Sequence, residues 1–94
     1  MSHLIIRHKV KDFSAWQSAF DSFVDQRRAG GEKSFQIFHL SNDTNNVYAL
    51  FEWDSPERAL QFIESDELKQ AMVSAGVAEP PEIHHLNLVA GGTL

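Results

Sequence analysis

Between residues 13 and 24, large apolar side chains recur at steps of three and four, the spacing of one face of an α-helix. This stripe consists of Phe13, Trp16, Phe20, Phe23 and Val24. Asp12 or Ser14 can cap the first turn, Arg27 suits the negative end of the helix dipole, and Gly30–Gly31 ends the helix. The pattern therefore predicts one amphipathic helix with a heavily aromatic face, which needs a broad apolar surface to pack against.

Alternation of apolar and polar residues predicts four strands around this helix. They are residues 3–10, 33–40, 47–53 and 82–89. The polar residues 41–46 between the second and third strands are typical of a hairpin turn. A second helical region follows the third strand, because Ser55-Pro56 is a helix-start signal and Ser65 begins helix again after a break.

The predicted order is therefore βαββαβ, an α+β chain. Right-handed crossovers give the ferredoxin-like arrangement, an antiparallel four-stranded sheet in the order 4-1-3-2 with both helical regions on one face. A length of 94 residues suits a single domain, 1–94.

The helices can cover only one face of such a sheet, yet both faces carry apolar residues. By parity, the second face holds Ile5, Phe38, Leu40, Tyr48, Leu50, Leu86 and Leu88. An apolar sheet face of this size indicates an association surface. We therefore expect a two-fold homodimer that packs open sheet face against open sheet face.

Composition narrows the classes of function. The net charge is −5, and the eight Lys and Arg residues are spread along the chain, which argues against nucleic acid and anionic membranes as partners. The absence of cysteine excludes disulfides and thiol chemistry. No apolar run is long enough for a membrane span or a signal peptide, so a soluble cytoplasmic protein is expected.

Three stretches resemble the dimeric α/β-barrel superfamily and, within it, the antibiotic-biosynthesis-monooxygenase-like proteins. They are HKVKDFSAWQSAFD, NVYALFEWDSPERALQFIESDELKQAM and AGVAEPPEIHHL, and together they cover nearly the whole chain. The resemblance implies a dimeric α/β barrel without fixing the reaction. Relatives include quinone-forming monooxygenases, cyclases, isomerases, haem-degrading enzymes and proteins of no known activity.

The resemblance also implies a ligand pocket inside each protomer, between the sheet and its helices. Parity places His8, His39 and Trp53 on that side of the sheet, opposite Trp16 and Phe20. Because the first and second strands run in the same direction, His8 and His39 lie toward one end of the sheet. We expect His85 or its neighbour His84 to approach that end as well, so that three imidazoles converge.

Three interpretations of these histidines remain open. His8 and His39 are either structural side chains satisfied by hydrogen bonds, or acid–base groups that take a proton from a phenol or an activated C–H. A three-histidine metal site is disfavoured, since only one of two adjacent strand residues faces inward and no carboxylate or cysteine lies beside them at ligand spacing. Haem degradation is disfavoured because these relatives use a helix histidine, whereas all five histidines here fall in predicted strands.

The sequence thus predicts a small-molecule-binding homodimer without cofactor or metal. The resemblance implies that it would act as a cofactor-independent monooxygenase, or a related cyclase or isomerase, on a small aromatic or polyketide-like compound. His8 and His39 are the predicted catalytic residues, and Trp53, Trp16, Phe20 and His85 the predicted substrate-binding residues. The alternative is a non-enzymatic dimeric binding or accessory protein with structural histidines.

Overall fold

The structure of the protein, a computed structural model, describes residues 2–94. Its strands are β1 (Ser2–Lys9), β2 (Glu32–Leu40), β3 (Asp43–Trp53) and β4 (Glu82–Leu86). Its helices are α1 (Phe13–Ser22), α2 (Val24–Gly30), α3 (Pro56–Ile63) and α4 (Asp66–Ser74). Both predicted helical regions are thus present, each as a pair of shorter helices.

The four strands form one antiparallel sheet in the order β2-β3-β1-β4. This confirms the predicted ferredoxin-like arrangement and strand order. In the register, Val47 of β3 lies between His8 of β1 and His39 of β2. On the other side of β1, Leu4 pairs with His85 and Ile5 with His84.

The first helical region is broken at Phe23, where the sequence predicts one continuous helix. Asp12 caps α1 by accepting a hydrogen bond from the Ala15 N–H at 2.9 Å. The Phe23 N–H then bonds to the Phe20 carbonyl at 3.2 Å, a tightened i→i−3 turn that separates α1 from α2. Gly31 ends α2 with φ 115°, as the glycine stop predicts.

The start of β3 and the end of β4 also differ from the prediction, and both positions follow from strand pairing. β3 begins at Asp43 rather than Val47, because Asp43 pairs with Leu40 and the hairpin turn is correspondingly short. β4 ends at Leu86 rather than Val89, because Leu86 pairs with His3 and β1 begins only one residue earlier. A strand cannot continue beyond the end of its only neighbour.

The helices cover one face of the sheet, and the apolar core lies between them. Its buried residues include Leu4, Ile6, Ala49, Phe51, Trp53 and Ala59. On the opposite face, side chains remain open to solvent, among them Phe38 (52% exposed) and Leu86 (40%), whereas Leu88 lies beyond the end of β4. Within residues 2–94, no helix has the length and apolar character needed to cross a membrane.

Candidate functional site

A cavity lies between the sheet and the helices. Its volume, counted as the positions that the centre of a water molecule can take, is about 70 Å³. This is enough for water molecules or a small chemical group. Most of its walls are apolar, and the side chains that form them are Leu4, Ile6, Trp16, Ala19, Phe20, Phe23, Ala49, Phe51, Phe62, Leu68, Ala71, Met72 and Ala75. Four residues bring polar atoms to it: His8, Arg27, Glu32 and Trp53.

His8 lies at one end of the cavity, which we call the His8 end. The side chain points toward the helices because His8 shares its face of β1 with Leu4 and Ile6. It is 5% exposed, and its ring meets Trp16 edge-on at 5.3 Å between centroids. Neither ring nitrogen has a hydrogen-bond partner among residues 2–94.

Burial in these apolar surroundings lowers the pKa of His8 to about 4, because desolvation disfavours the imidazolium. The ring is therefore neutral at pH 7, with one nitrogen able to donate a hydrogen bond and the other able to accept one. Buried polar atoms without partners are costly. A ligand hydroxyl could donate to the acceptor nitrogen or accept from the ring N–H, whereas a ligand carbonyl could only accept from the ring N–H.

His39 lies on the same sheet face as His8 but outside the cavity lining. Since both pair with Val47 from opposite sides, their Cα atoms are two strand spacings, or about 10 Å, apart. His39 is exposed, its Nδ1 lies 3.0 Å from the Leu40 carbonyl oxygen, and its ring meets Phe13 edge-on. The structural interpretation thus describes His39 well, whereas the hydrogen bonds it assumed for His8 are not found among the described residues.

The prediction that His84 or His85 approaches His8 and His39 is wrong. His85 pairs with Leu4, four residues from His8 along β1, which is about 13 Å at the rise of a strand. Its side chain is exposed, while His84 lies on the opposite face, across from Ile5. Within the described chain, no three His, Asp or Glu side chains are grouped in a way that could hold a metal ion.

The predicted aromatic residues all line the cavity. Trp16 and Phe20 stack at 5.2 Å between ring centroids, as expected for neighbours one helical turn apart. Trp53 lies at the end away from His8, since it pairs with Ser2 at the start of β1. It is 1% exposed, packs on Phe62 at 5.0 Å, and its Nε1–H has no partner among residues 2–94.

Arg27 and Glu32 form a buried ion pair beside Trp53, at what we call the Arg27 end of the cavity. Their side chains are 4% and 6% exposed. The guanidinium also donates to the Phe20 carbonyl at 3.2 Å, and it lies over the Phe20 ring at 3.7 Å from the centroid. Burial raises the pKa of Glu32 and lowers that of Arg27, and their mutual attraction opposes both changes.

Sequence analysis missed this pair. The position of Arg27 near the end of the predicted helix is explained by the helix dipole alone, and Glu32 belongs to no recognisable motif. Strict alternation from Ile37 and Phe35 would place residue 33 on the helix side of β2, but an irregularity between Glu32 and Ser34 turns Glu32 to that side instead, opposite Trp53. The only signal available was an acidic residue next to the helix stop, five positions after an arginine.

Known structures share this fold. One titled putative antibiotic biosynthesis monooxygenase from Bordetella bronchiseptica aligns with a TM-score of 0.78 and 16% identity, covering 95% of this chain and 97% of that one. Another, from Nitrosomonas europaea, gives 0.73 and 18%, covering 96% and 100%. A variant of SnoaB, described as a cofactor-independent oxygenase from Streptomyces nogalater, gives 0.76 and 11%, covering 96% and 94%.

No protein-family model matches the sequence, and no curated protein matches it. At these low identities the likeness concerns the fold. The chain has the α+β fold of antibiotic-biosynthesis-monooxygenase-like proteins, as the resemblance predicted.

Proposed function

Starting from this shared fold, we propose that the chain binds a small, largely apolar aromatic compound between its sheet and its helices, in the cavity of about 70 Å³, which must widen to admit a ring. The observation that carries the proposal is His8, a buried imidazole that belongs to the lining of an aromatic cavity and whose two ring nitrogens have no partner among residues 2–94. A core histidine that served packing alone would be expected to have a partner for at least one nitrogen.

The reaction that this site supports best is cofactor-independent oxygenation. His8 accepts a proton from a phenol or an activated C–H, and the resulting electron-rich anion reacts with dioxygen. When a CH₂ group becomes a carbonyl, one oxygen atom enters the product and the other leaves as water. This proposal is supported by the likeness in fold to a protein described as a cofactor-independent oxygenase.

The low pKa of His8 sets a condition on this chemistry. With a pKa of about 4 in the empty cavity, the imidazole is a weak base. A substrate anion formed beside it would stabilise the imidazolium and raise the pKa, because opposite charges in a low-dielectric site attract strongly. We therefore expect the pKa of His8 to rise when an acidic phenol binds.

A weak base in a small cavity also favours the second candidate function, a binding or accessory protein without catalysis. The two candidates differ in turnover. In the oxygenase, dioxygen consumption with a bound phenol requires His8, and His8→Gln abolishes it while the protein stays folded. In the binding protein, the phenol raises the melting temperature but no oxygen is consumed.

His39 has a different place in this proposal. Its ring is exposed, meets Phe13 edge-on and does not line the cavity, which disfavours a direct catalytic role. His39→Gln is the matched control for His8→Gln, because it makes the same change outside the cavity. Equal loss of activity in both variants would contradict the assignment of the base to His8.

We also propose that the protein is a homodimer that packs through the open sheet face. The support is the half-buried or exposed apolar set on that face, which includes Ile5, Tyr48 and Leu50 in addition to Phe38 and Leu86. Leu86→Asp should dissociate the dimer. Leu60→Asp is the matched control, since Leu60 is 45% exposed but lies on α3.

The assay for this second proposal is the mass in solution, measured by light scattering after size-exclusion chromatography. The proposal predicts a dimer for the unmodified protein and for Leu60→Asp, and a monomer for Leu86→Asp. A monomeric unmodified protein would refute it.

A further inference from the structure

The Arg27 end of the cavity holds three polar atoms that the ion pair does not use. They are Arg27 Nε, Glu32 Oε1 and Trp53 Nε1, all buried and without a partner among residues 2–94. Each of the three residues lines the cavity, and Glu32 and Trp53 are direct neighbours across β2 and β3. The three residues therefore lie together in the cavity wall, and their unpartnered polar atoms are buried within it.

Their chemistry defines what can bind. Arg27 Nε–H and Trp53 Nε1–H are donors, whereas Glu32 Oε1 is an acceptor. A ligand group that satisfies all three accepts two hydrogen bonds and donates one. A carboxamide does so with its carbonyl oxygen and its N–H, and a hydroxyl does so with its single oxygen.

Charged groups fit less well. A carboxylate or phosphate brings no proton for Glu32 Oε1, and its charge meets a carboxylate that is already paired with Arg27. An ammonium group brings no acceptor for the two donors, and its charge meets the guanidinium. Because the ion pair is internally neutralised, neither sign of ligand charge finds an uncompensated partner here.

We propose that the Arg27 end is a specificity site for an uncharged group that both donates and accepts hydrogen bonds, a carboxamide or a hydroxyl, attached to the apolar body of the ligand. The proposal rests on the proposed function, since it requires that the cavity admits a small molecule. It adds the selection of neutral over charged compounds, which His8 does not provide.

Position separates this site from the His8 end. The Cα atom of Trp53 lies opposite Ser2, six residues or about 20 Å from His8 along β1, but the ring contacts from Arg27 through Phe20 and Trp16 bring the guanidinium within about 14 Å of the His8 ring. Leu4 and Ile6 lie between the two ends on the sheet side. A small fragment therefore occupies one end at a time, and the two ends can be tested separately.

The test uses single-ring probes of similar shape: benzamide, benzyl alcohol, benzoate, benzylamine and toluene. Binding is followed by ¹H–¹⁵N NMR of the unmodified protein. The chain contains two tryptophans, so its indole region contains two signals, and Trp53→Phe identifies which one belongs to Trp53. We expect benzamide and benzyl alcohol to shift the Trp53 indole signal downfield, and benzoate and benzylamine to bind at least tenfold more weakly.

Variants test the individual atoms. Trp53→Phe removes one donor, so the ratio of benzamide to toluene affinity should fall about tenfold, the value of one hydrogen bond to a ligand. Glu32→Gln leaves the guanidinium without its carboxylate, so benzoate should gain affinity relative to benzamide. Glu57→Gln is the matched control, because it removes the same charge from an exposed position on α3.

The outcomes distinguish this inference from the proposed function. If no probe binds, toluene included, the cavity does not admit small molecules and both proposals fail. If toluene or phenol binds but benzamide leaves the Trp53 signal unmoved, or benzoate binds as well as benzamide, only the specificity site is overturned. Should Glu32→Gln fail to fold, the probe series on the unmodified protein and on Trp53→Phe still decides.

Discussion

The buried neutral imidazole of His8 makes a strong prediction about stability as a function of pH. In the unfolded chain His8 has its ordinary pKa of 6.5, whereas in the folded protein burial lowers it to about 4. Between these two values the unfolded state binds a proton that the folded state does not. The free energy of unfolding must therefore fall as the pH is lowered through this interval.

The size of this effect follows from the two pKa values. The difference is about 2.5, and each pKa unit is worth 1.36 kcal/mol, so the full cost below pH 4 is about 3 kcal/mol. Linkage predicts that about 2 kcal/mol is lost already at pH 5. A loss of this size is a large part of the stability of a domain of this length.

The assay compares urea unfolding of the unmodified protein and of His8→Gln from pH 7.5 to pH 4. Subtracting the two free energies at each pH removes the contributions of all other titrating groups, the Glu32–Arg27 pair included. The constant cost of a buried glutamine also cancels when values at different pH are compared. We expect the variant to gain about 2 kcal/mol relative to the unmodified protein between pH 7.5 and pH 5.

His39→Gln is the matched control, because it makes the same change at an exposed position. Should His8→Gln prove too unstable to measure, His8→Phe serves the same comparison with an apolar ring. A difference between the unmodified protein and His8→Gln that stays constant from pH 7.5 to pH 4 would refute the buried, neutral state of His8. A difference of opposite sign would mean that His8 has an acidic partner.

Three further changes test the structure around the site by urea unfolding. Gly31→Ala should cost about 2 kcal/mol or more, since a Cβ at φ 115° is strained and would lie 2.6 Å from a carboxylate oxygen. Gly92→Ala is the control and should be neutral, because nothing lies within 4 Å of the added Cβ. Equal effects of the two changes would contradict this account. Glu32→Gln should cost about 3–5 kcal/mol by leaving a buried guanidinium unpaired. The exposed Glu57→Gln is the control and should change the free energy of unfolding little. A small cost at Glu32 would mean that water reaches the ion pair. Asp12→Ala should cost about 1 kcal/mol through loss of the helix cap, and no change would mean that the cap is dispensable.

Periodicity was sufficient to predict four of the residues that line the cavity. Trp16 and Phe20 follow from helical spacing, and His8 and Trp53 follow from alternation along two central strands, whose register is strongly constrained by burial. The position of His85 could not be predicted in the same way. β4 is an edge strand that pairs only with β1, and its alternation gives the face of each residue without giving its position along the neighbouring strand.

Sequence patterns could not predict the Arg27 end of the cavity, because two local irregularities place its residues. The break at Phe23 separates α2, which carries Arg27, from α1. The irregularity between Glu32 and Ser34 turns Glu32 toward the helices. In each case one residue departs from the regular repeat of its helix or strand. A prediction that assumes a constant repeat therefore misses both.

The two ends of the cavity share a feature that packing alone does not explain. His8, Arg27, Glu32 and Trp53 each keep buried polar atoms without a partner in the described chain, and each such atom costs on the order of 1–3 kcal/mol. Apolar residues at these four positions would fill the same core at lower cost, as they do when they replace buried ion pairs elsewhere. Retaining polar atoms at both ends lowers the stability of the protein, as the unpartnered atoms of His3, Asn46 and Asp54 do outside the cavity. Under the proposed function, a ligand that supplies the missing hydrogen bonds at the two ends offsets this cost, and the stability of the fold and ligand binding are then linked through the same few atoms.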